Sequence, residues 1–171
     1  MTKRLPLLLI LVFPLFVCFM AWYVWYSPAT TVILVRHAER LNDTDTTSIS
    51  EAGLERAEQL AQALRSYPLK RIFVSEKHRT LQTAAATAVL FNLQPVQIRA
   101  NAIRGFADSV KAHRGDAILI VGHSDTVPNI IAKLGVSSPP AIETSDFDDL
   151  FVVTVFRFRS TMVHLKYGNP S

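Results

Sequence analysis

The chain opens on an apolar run and then changes character. Leu5 to Tyr26 carries no charged side chain, whereas the remainder alternates short apolar blocks with amphipathic ones in the order expected of an α/β sheet. Residues 31–35 and 117–121 are apolar or β-branched throughout, the pattern of strands buried on both faces. Arg71 to Ser75 and the short Val96 to Ile98 complete four strands joined through helical segments, which predicts a mostly parallel sheet. Behind a capping Ser50, Leu54, Ala57, Ala61 and Leu64 recur at helical spacing, with Glu55, Arg56 and Glu58 assigned to the solvated side; Pro68 ends that helix. Thr80 to Phe91, rich in alanine, predicts a second helix able to approach the sheet closely. Residues 101–114, interrupted by Gly105 and closed near Gly115, predict a third, and Thr126 to Leu134 with Gly135 as its C-cap a fourth. Beyond Pro139-Pro140, Leu150 to Phe156 and Met162 to Tyr167 should pair as an antiparallel hairpin. The expected architecture is a single three-layer α/β domain over residues 30–171, its mostly parallel sheet flanked by helices and ended by the hairpin. One transmembrane helix and a short connection, residues 1–29, precede it.

The apolar run is long enough, at about 1.5 Å per residue, to cross a hydrocarbon layer of about 30 Å. Lys3 and Arg4 precede it, and Trp22, Tyr23, Trp25 and Tyr26 cluster at its far end. A positive flank stays in the cytoplasm and an aromatic belt marks the opposite interface, so the C-terminal domain is expected outside, in the periplasm of a bacterial source. Pro6 and Pro14 are tolerated in such a helix. The alternative is a signal peptide cleaved near Ser27-Pro28-Ala29, which would release the domain to the periplasm, although the run exceeds the usual apolar region of about 7–15 residues. A buried core helix this uniformly apolar would need protein on all sides, more than the rest of the chain supplies.

Composition narrows the chemistry. The 171 residues, 49% hydrophobic, suffice for one packed core. Cys18, inside the apolar run, is the only cysteine, which excludes a disulfide, a cysteine nucleophile and a CxxC metal site from the domain. Lys3 and Arg4 account for two of the 18 basic residues, leaving 16 against 14 acidic ones. With no basic stripe beyond Lys70-Arg71 and the arginines of the last hairpin, nucleic acid is not an expected partner. Ligands of open α/β sheets bind beyond the carboxyl ends of the strands. Three such ends here carry Arg36-His37, Ser75 leading to Arg79, and Gly122-His123. Two imidazoles and two guanidinium groups at one edge suit a phosphoryl group: a neutral imidazole attacks phosphorus, and planar, permanently charged arginine forks hold the equatorial oxygens.

At these residues the chain resembles the histidine phosphatase superfamily, in the branch of the cofactor-dependent phosphoglycerate mutases and small bacterial phosphohistidine phosphatases. Arg36-His37-Ala38-Glu39 resembles its Arg-His-Gly-Glu signature with Ala for Gly. Ser50 to Ala57 resembles its first helix start, Ser75 to Ala84 the segment with its second phosphate-binding arginine, and Gly122-His123-Ser124 the segment with its second histidine. The resemblance spans nearly the whole domain. It implies a phosphoric monoester hydrolase needing no cofactor, with His37 as nucleophile, Arg36 and Arg79 as phosphate clamps and His123 as a further phosphoryl contact.

The mutase branch carries a glutamate general acid that has no counterpart here, since residues 77–142 contain no Glu. Asp125 is either the proton donor, by resemblance to the acid-histidine branch, or the N-cap of its helix. Glu39 either orients an arginine or lies in the entrance loop, and Asp108 sits on a solvated helix face. Of the other histidines, His78 alone is placed to touch substrate, while His113 and His164 read as structural. Asn42, Ser75 and Thr80 either donate to phosphate oxygens or serve loops and caps. A metal held by His37, His123 and Asp125 is disfavoured, because the flanking arginines repel a cation. The expected partners are a phosphorylated small molecule or glycan and, through the N-terminal helix, the membrane. The competing readings are a phosphate-binding or scaffolding module without turnover, and a protein phosphohistidine phosphatase, which would need the opposite topology.

Overall fold

In the computed structural model, which describes the backbone of residues 4–25, 28–44 and 46–170, alternate residues of β1 (Thr30–Arg36) face two different helical layers. Val32 and Leu34 pack with Phe106, Val110, Ile130 and Ile131, while Ile33 and Val35 pack with Leu60, Leu64, Ala84 and Ala88. The same division runs along β4 (Ala117–Gly122), whose Ile118 and Ile120 join the first cluster and Leu119 and Val121 the second. A strand with a period of two and no polar position has no wet face, so it occupies the centre of a sheet covered on both sides. Each fully buried Ile or Leu contributes about 1.5–3 kcal/mol through the area it removes from water.

The sheet order is β3-β2-β4-β1-β5-β6. β1, β2 (Leu69–Ser75), β3 (Val96–Ile98) and β4 run parallel, and β5 (Asp149–Val155) and β6 (Ser160–Lys166) add an antiparallel pair on the β1 side. α2 (Glu51–Leu64) and α3 (His78–Phe91) pack on each other over one face, and α4 (Ile103–Ala112) and α5 (Thr126–Lys133) cover the other. The three-layer α/β expectation holds for residues 30–170. The parallel strands therefore all end on one edge, where Arg36, Ser75 and Gly122 lie.

Three local expectations change. Gly105 lies inside α4 without interrupting it. β2 and α3 each start two residues earlier than the apolar pattern indicates, at Leu69 and His78. In α2 the faces are rotated: Leu54 is 55% exposed and Arg56, assigned to solvent, is 4% exposed. The start of the helix sets that rotation. Ser50 accepts from the Gly53 amide at 3.2 Å, and a Cβ on Gly53 would collide with the Glu39 carbonyl, so only glycine lets the first turn press against the backbone after β1.

α1 (Arg4–Trp25) precedes the domain, and its described side chains, Val12 to Tyr23, are all exposed. They are not packed into a core. Among the described residues no helix is long and apolar enough to cross a membrane, so the expected transmembrane span is not found there. That expectation, Leu5 to Tyr26, falls partly outside the described residues.

Candidate active site

His37 is the first residue beyond β1, and its amide donates to the Gly122 carbonyl at 2.9 Å, so the parallel β1–β4 pairing carries one residue past the strand end. Gly122 in turn ends β4 where a Cβ would meet Thr126 Oγ1 at 2.8 Å and Val127 Cγ2 at 3.0 Å. A side chain there would push α5 away from the strand that delivers His123. Thr126 Oγ1 accepts from the His123 amide at 2.8 Å and holds that turn. The two imidazoles consequently meet, with ring centroids 5.3 Å apart in an edge-to-face arrangement.

Each imidazole is fixed in one tautomer. His37 Nδ1 lies 2.8 Å from the Ala38 carbonyl, which can only accept, so the proton is on Nδ1 and the lone pair on Nε2. His123 Nε2 lies 2.9 Å from Ser75 Oγ, and the Arg79 guanidinium approaches Nδ1 at 3.5 Å, which makes Nδ1 the acceptor. Burial pulls His37 down to about 3, with His123, Arg36 and Arg79 adding to the effect against the bond to Ala38. Burial likewise pulls His123 down to about 4, with Arg79 second and Asp125 opposing. Both rings are neutral at physiological pH, and His37 Nε2 carries an available lone pair.

The arginines are buried as well, Arg36 to 3% and Arg79 to 8% exposure. Arg36 Nη1 donates to the carbonyls of Glu143, Thr144 and Asp146 at 2.9, 2.9 and 3.1 Å. Its guanidinium stacks over Phe147, 4.1 Å from the ring centroid, and Phe147 also lies 6.1 Å from His37. Arg36 Nε is buried with no hydrogen-bond partner. Burial, followed by Arg40 and with Arg79 contributing, lowers its pKa from the ordinary arginine value, against the opposing charges of Asp146 and Glu39.

Arg36, His37, Arg79, His123 and Asp125 all line one cavity of about 330 Å³, together with Arg40, Lys77 and Thr144. Sequence reasoning named the first five, and the fold brings them together. Asp125 stands at the N-cap of α5 but its side chain makes no capping bond, so the capping alternative is not realised. It is the one carboxylate among the described residues lining the cavity. Among the described residues, no group of three or more His, Cys, Asp or Glu is arranged to hold a metal ion.

The secondary candidates have other employment. Ser75 and Thr80 are buried; Ser75 holds His123 and bonds Thr80 at 3.0 Å, so they position the histidine rather than face the cavity. Asn42 Oδ1 accepts from the Thr44 amide and hydroxyl within its exposed loop. His78 is exposed, 3.4 Å from Ser48, and does not line the cavity. Asp108 is exposed beside Lys111 at 3.8 Å, His113 bonds the Ser109 carbonyl, and His164 bonds Asp149. Glu39 does orient an arginine, namely Arg56, whose Nε lies 2.7 and 2.9 Å from the two carboxylate oxygens. Arg56 Nη1 also donates to the Asn169 carbonyl at 3.0 Å, which ties the segment after His37 to the C-terminal segment.

Two contributors escaped the sequence reading. Thr83 Oγ1 accepts from the Ala38 amide at 2.9 Å and donates to the Arg79 carbonyl at 2.8 Å, linking the segment after His37 to α3. Three threonines of α3, Thr80, Thr83 and Thr87, are fully buried. A helix that carries poor helix formers at three- and four-residue spacing was the available signal. The loop 143–147 that clamps Arg36 acts through carbonyls and gave none.

Residues 32–102 match the family model of the histidine phosphatase superfamily (branch 1). The match includes Arg36, His37 and Arg79 and stops before His123. No curated protein matches the chain. Among solved structures, the protein histidine phosphatase SixA complexed with tungstate aligns with TM-score 0.68 at 19% identity, covering 80% of this chain and 96% of that one. A mycobacterial glucosyl-3-phosphoglycerate phosphatase aligns with TM-score 0.67 at 13% identity over 82% and 100% of the two chains. Phosphoglycerate mutase from Bacillus anthracis aligns with TM-score 0.64 at 13% identity over 81% and 93%. At these identities the likeness concerns the fold. The likeness to the histidine phosphatase superfamily model thus rests on residues 32–102, and the neighbours share the fold of the domain.

Proposed function

We propose that this domain hydrolyses phosphomonoesters through a covalent phosphohistidine at His37. The observation that carries the proposal is a buried, neutral His37, its Nδ1 tied to a carbonyl, lining the same cavity as Arg36, Arg79 and His123. His37 Nε2 forms a bond to phosphorus as the bond to the ester oxygen breaks, and the departing oxygen takes a proton from Asp125 or water. Water then attacks phosphorus, the P–N bond breaks, and inorganic phosphate leaves with His37 restored. The arginines stabilise charge on the equatorial oxygens throughout. One structural neighbour was crystallised with tungstate, another tetrahedral oxyanion.

The test is a quench of the protein reacting with an aryl phosphate. An acid-labile, alkali-stable phosphoryl label that His37→Ala abolishes is the expected result. Absence of both label and phosphate release would favour a binding module without turnover.

A second reading has its own support. The cavity offers a single carboxylate as proton donor, and an imidazole departs from phosphorus with less help than an alkoxide, which suits a phosphohistidine substrate. The similarity to a protein histidine phosphatase points the same way. Faster release from phosphoimidazole than from alkyl phosphates would favour it.

The domain is further read as tethered to a membrane by α1 and facing the periplasm. The described α1 side chains are exposed and mostly apolar, and in sequence they sit inside an uncharged run flanked by Lys3 and Arg4. Such a location suits a phosphorylated sugar or glycan. Cleavage near Ser27 would leave the same domain free in the periplasm. A C-terminal reporter active on only one side of the membrane tests the sidedness.

A further inference from the structure

The edge of the sheet opposite the active site collects positive charge that is scattered in sequence. The parallel strands begin there, which puts Lys70 and Arg71 of β2 at the same end of the fold as Lys111 and Arg114, just ahead of β4. The β5–β6 turn brings Arg157 and Arg159 to the same edge, since Thr30 pairs with Val155 and Pro28, Lys111, Arg114 and Arg157 border one groove. Against these six cations stand Asp108, 3.8 Å from Lys111, and Asp116, 2.9 Å from Arg71. The turn is also aromatic. Phe158 is 79% exposed, the Arg157 guanidinium lies 5.6 Å from its ring, and the Arg159 guanidinium lies 5.1 Å from Phe156. Exposed phenylalanine interleaved with arginine is the composition of a segment that enters a lipid headgroup layer.

The position of α1 identifies the occupant. Arg157 also lies over Tyr23, 5.2 Å from the ring centroid. Only residues 26–29 separate α1 from β1, a connection that reaches at most about 14 Å when fully extended. We infer that this basic, aromatic edge rests on the anionic headgroups of the bilayer that holds α1, turning the catalytic cavity away from the membrane. This inference rests on the anchored reading above. Its consequence for substrate is geometric. β1 leaves the membrane-side edge at Thr30 and rises six residue steps to Arg36, about 20 Å at 3.3 Å per residue. The cavity then meets phosphoryl groups standing well clear of the lipid surface, such as those on an extended glycan or a soluble phosphate ester, rather than the phosphates of the bilayer itself.

The full-length chain, reconstituted in vesicles of phosphatidylcholine with or without phosphatidylglycerol, tests this. A fluorophore is placed at Phe158→Cys or at Leu41→Cys, each in a Cys18→Ser background, and quenching by a headgroup-labelled lipid is read. Position 158 should be quenched several-fold more than position 41 in the anionic vesicles. Added salt should reduce that excess, as should the double change Arg157→Glu and Arg159→Glu, which leaves turnover of a soluble aryl phosphate unchanged. Equal quenching at 158 and 41, or indifference to phosphatidylglycerol, overturns the inference. A label on the native Cys18 separates the two readings. If it is shielded from aqueous quenchers while position 158 is not quenched, the anchor stands and the docked edge falls. If Cys18 is open to water and the chain does not float with the vesicles, both fall.

Discussion

Acidification should unfold this domain through the two histidines of its cavity. In the folded state His37 resists protonation down to about 3 and His123 down to about 4, whereas their ordinary value is 6.5. Between those limits the unfolded chain binds protons that the folded one refuses. The stabilisation is therefore complete above about 6.5 and drains away as the pH falls toward the folded values. In that window each histidine removes about 1.4 kcal/mol per pH unit, so one unit below 6.5 the pair together removes about 3 kcal/mol. That is a large fraction of the about 5–15 kcal/mol that holds a domain of ordinary stability. Urea unfolding above and below the window reads it: with a slope of about 1–3 kcal/mol per molar, the midpoint should drop by about 1–3 M at the lower pH. His37→Asn, which cannot titrate there, should roughly halve the drop. Coincident midpoints at the two pH values, or a drop unchanged in His37→Asn, would refute the account of both rings as buried and neutral.

Three substitutions probe the surrounding scaffold. Thr83→Val leaves the Ala38 amide without its acceptor; it should cost about 1–3 kcal/mol in urea unfolding and lower kcat by up to about a hundredfold through a misplaced nucleophile. Glu39→Gln strips the counterion from the buried Arg56 and should destabilise by about 3 kcal/mol, with KM for an aryl phosphate unchanged because Glu39 lies outside the cavity. Asp125→Asn should slow alkyl phosphate hydrolysis by about 10²–10⁴-fold while leaving an activated aryl phosphate nearly untouched; equal effects on the two substrates would remove Asp125 from proton donation.

What was legible in the sequence was the sheet and the gathering of ionisable side chains at its carboxyl edge. The middle of a strand buried on both faces tolerates no polar residue, so Arg36-His37 and Gly122-His123, where β1 and β4 end, mark their own positions. Arg56 was misread for the converse reason. Its inward turn depends on Glu39, 17 residues away in sequence, and a helical wheel holds no information about a counterion on another segment. The rotation that exposes Leu54 follows from the close approach of Gly53 to the Glu39 backbone, a contact between two elements that periodicity within one element does not express. The six cations of the far edge appear in the chain as isolated pairs, and only the common direction of the parallel strands assembles them.

The loop 143–147 shows why a cationic cavity of this kind is stable enough to wait for substrate. Two guanidinium groups with little solvent contact repel each other and would, uncompensated, favour opening the site to water. Placing carboxylates beside them would solve that problem and abolish phosphate binding. At Arg36 the fold relies chiefly on weaker negative ends: three carbonyl dipoles meet Nη1, and the face of Phe147 lies under the guanidinium plane. Carbonyls orient the fork without neutralising it, and Arg36 Nε keeps its donor uncommitted. Because the fork is held before any ligand arrives, an incoming phosphoryl group meets donors that need no reorganisation, which is where electrostatic catalysis gains most. The same excess of positive charge disfavours a divalent cation, so on the proposed function anion selectivity and readiness for phosphoryl transfer would have one physical origin.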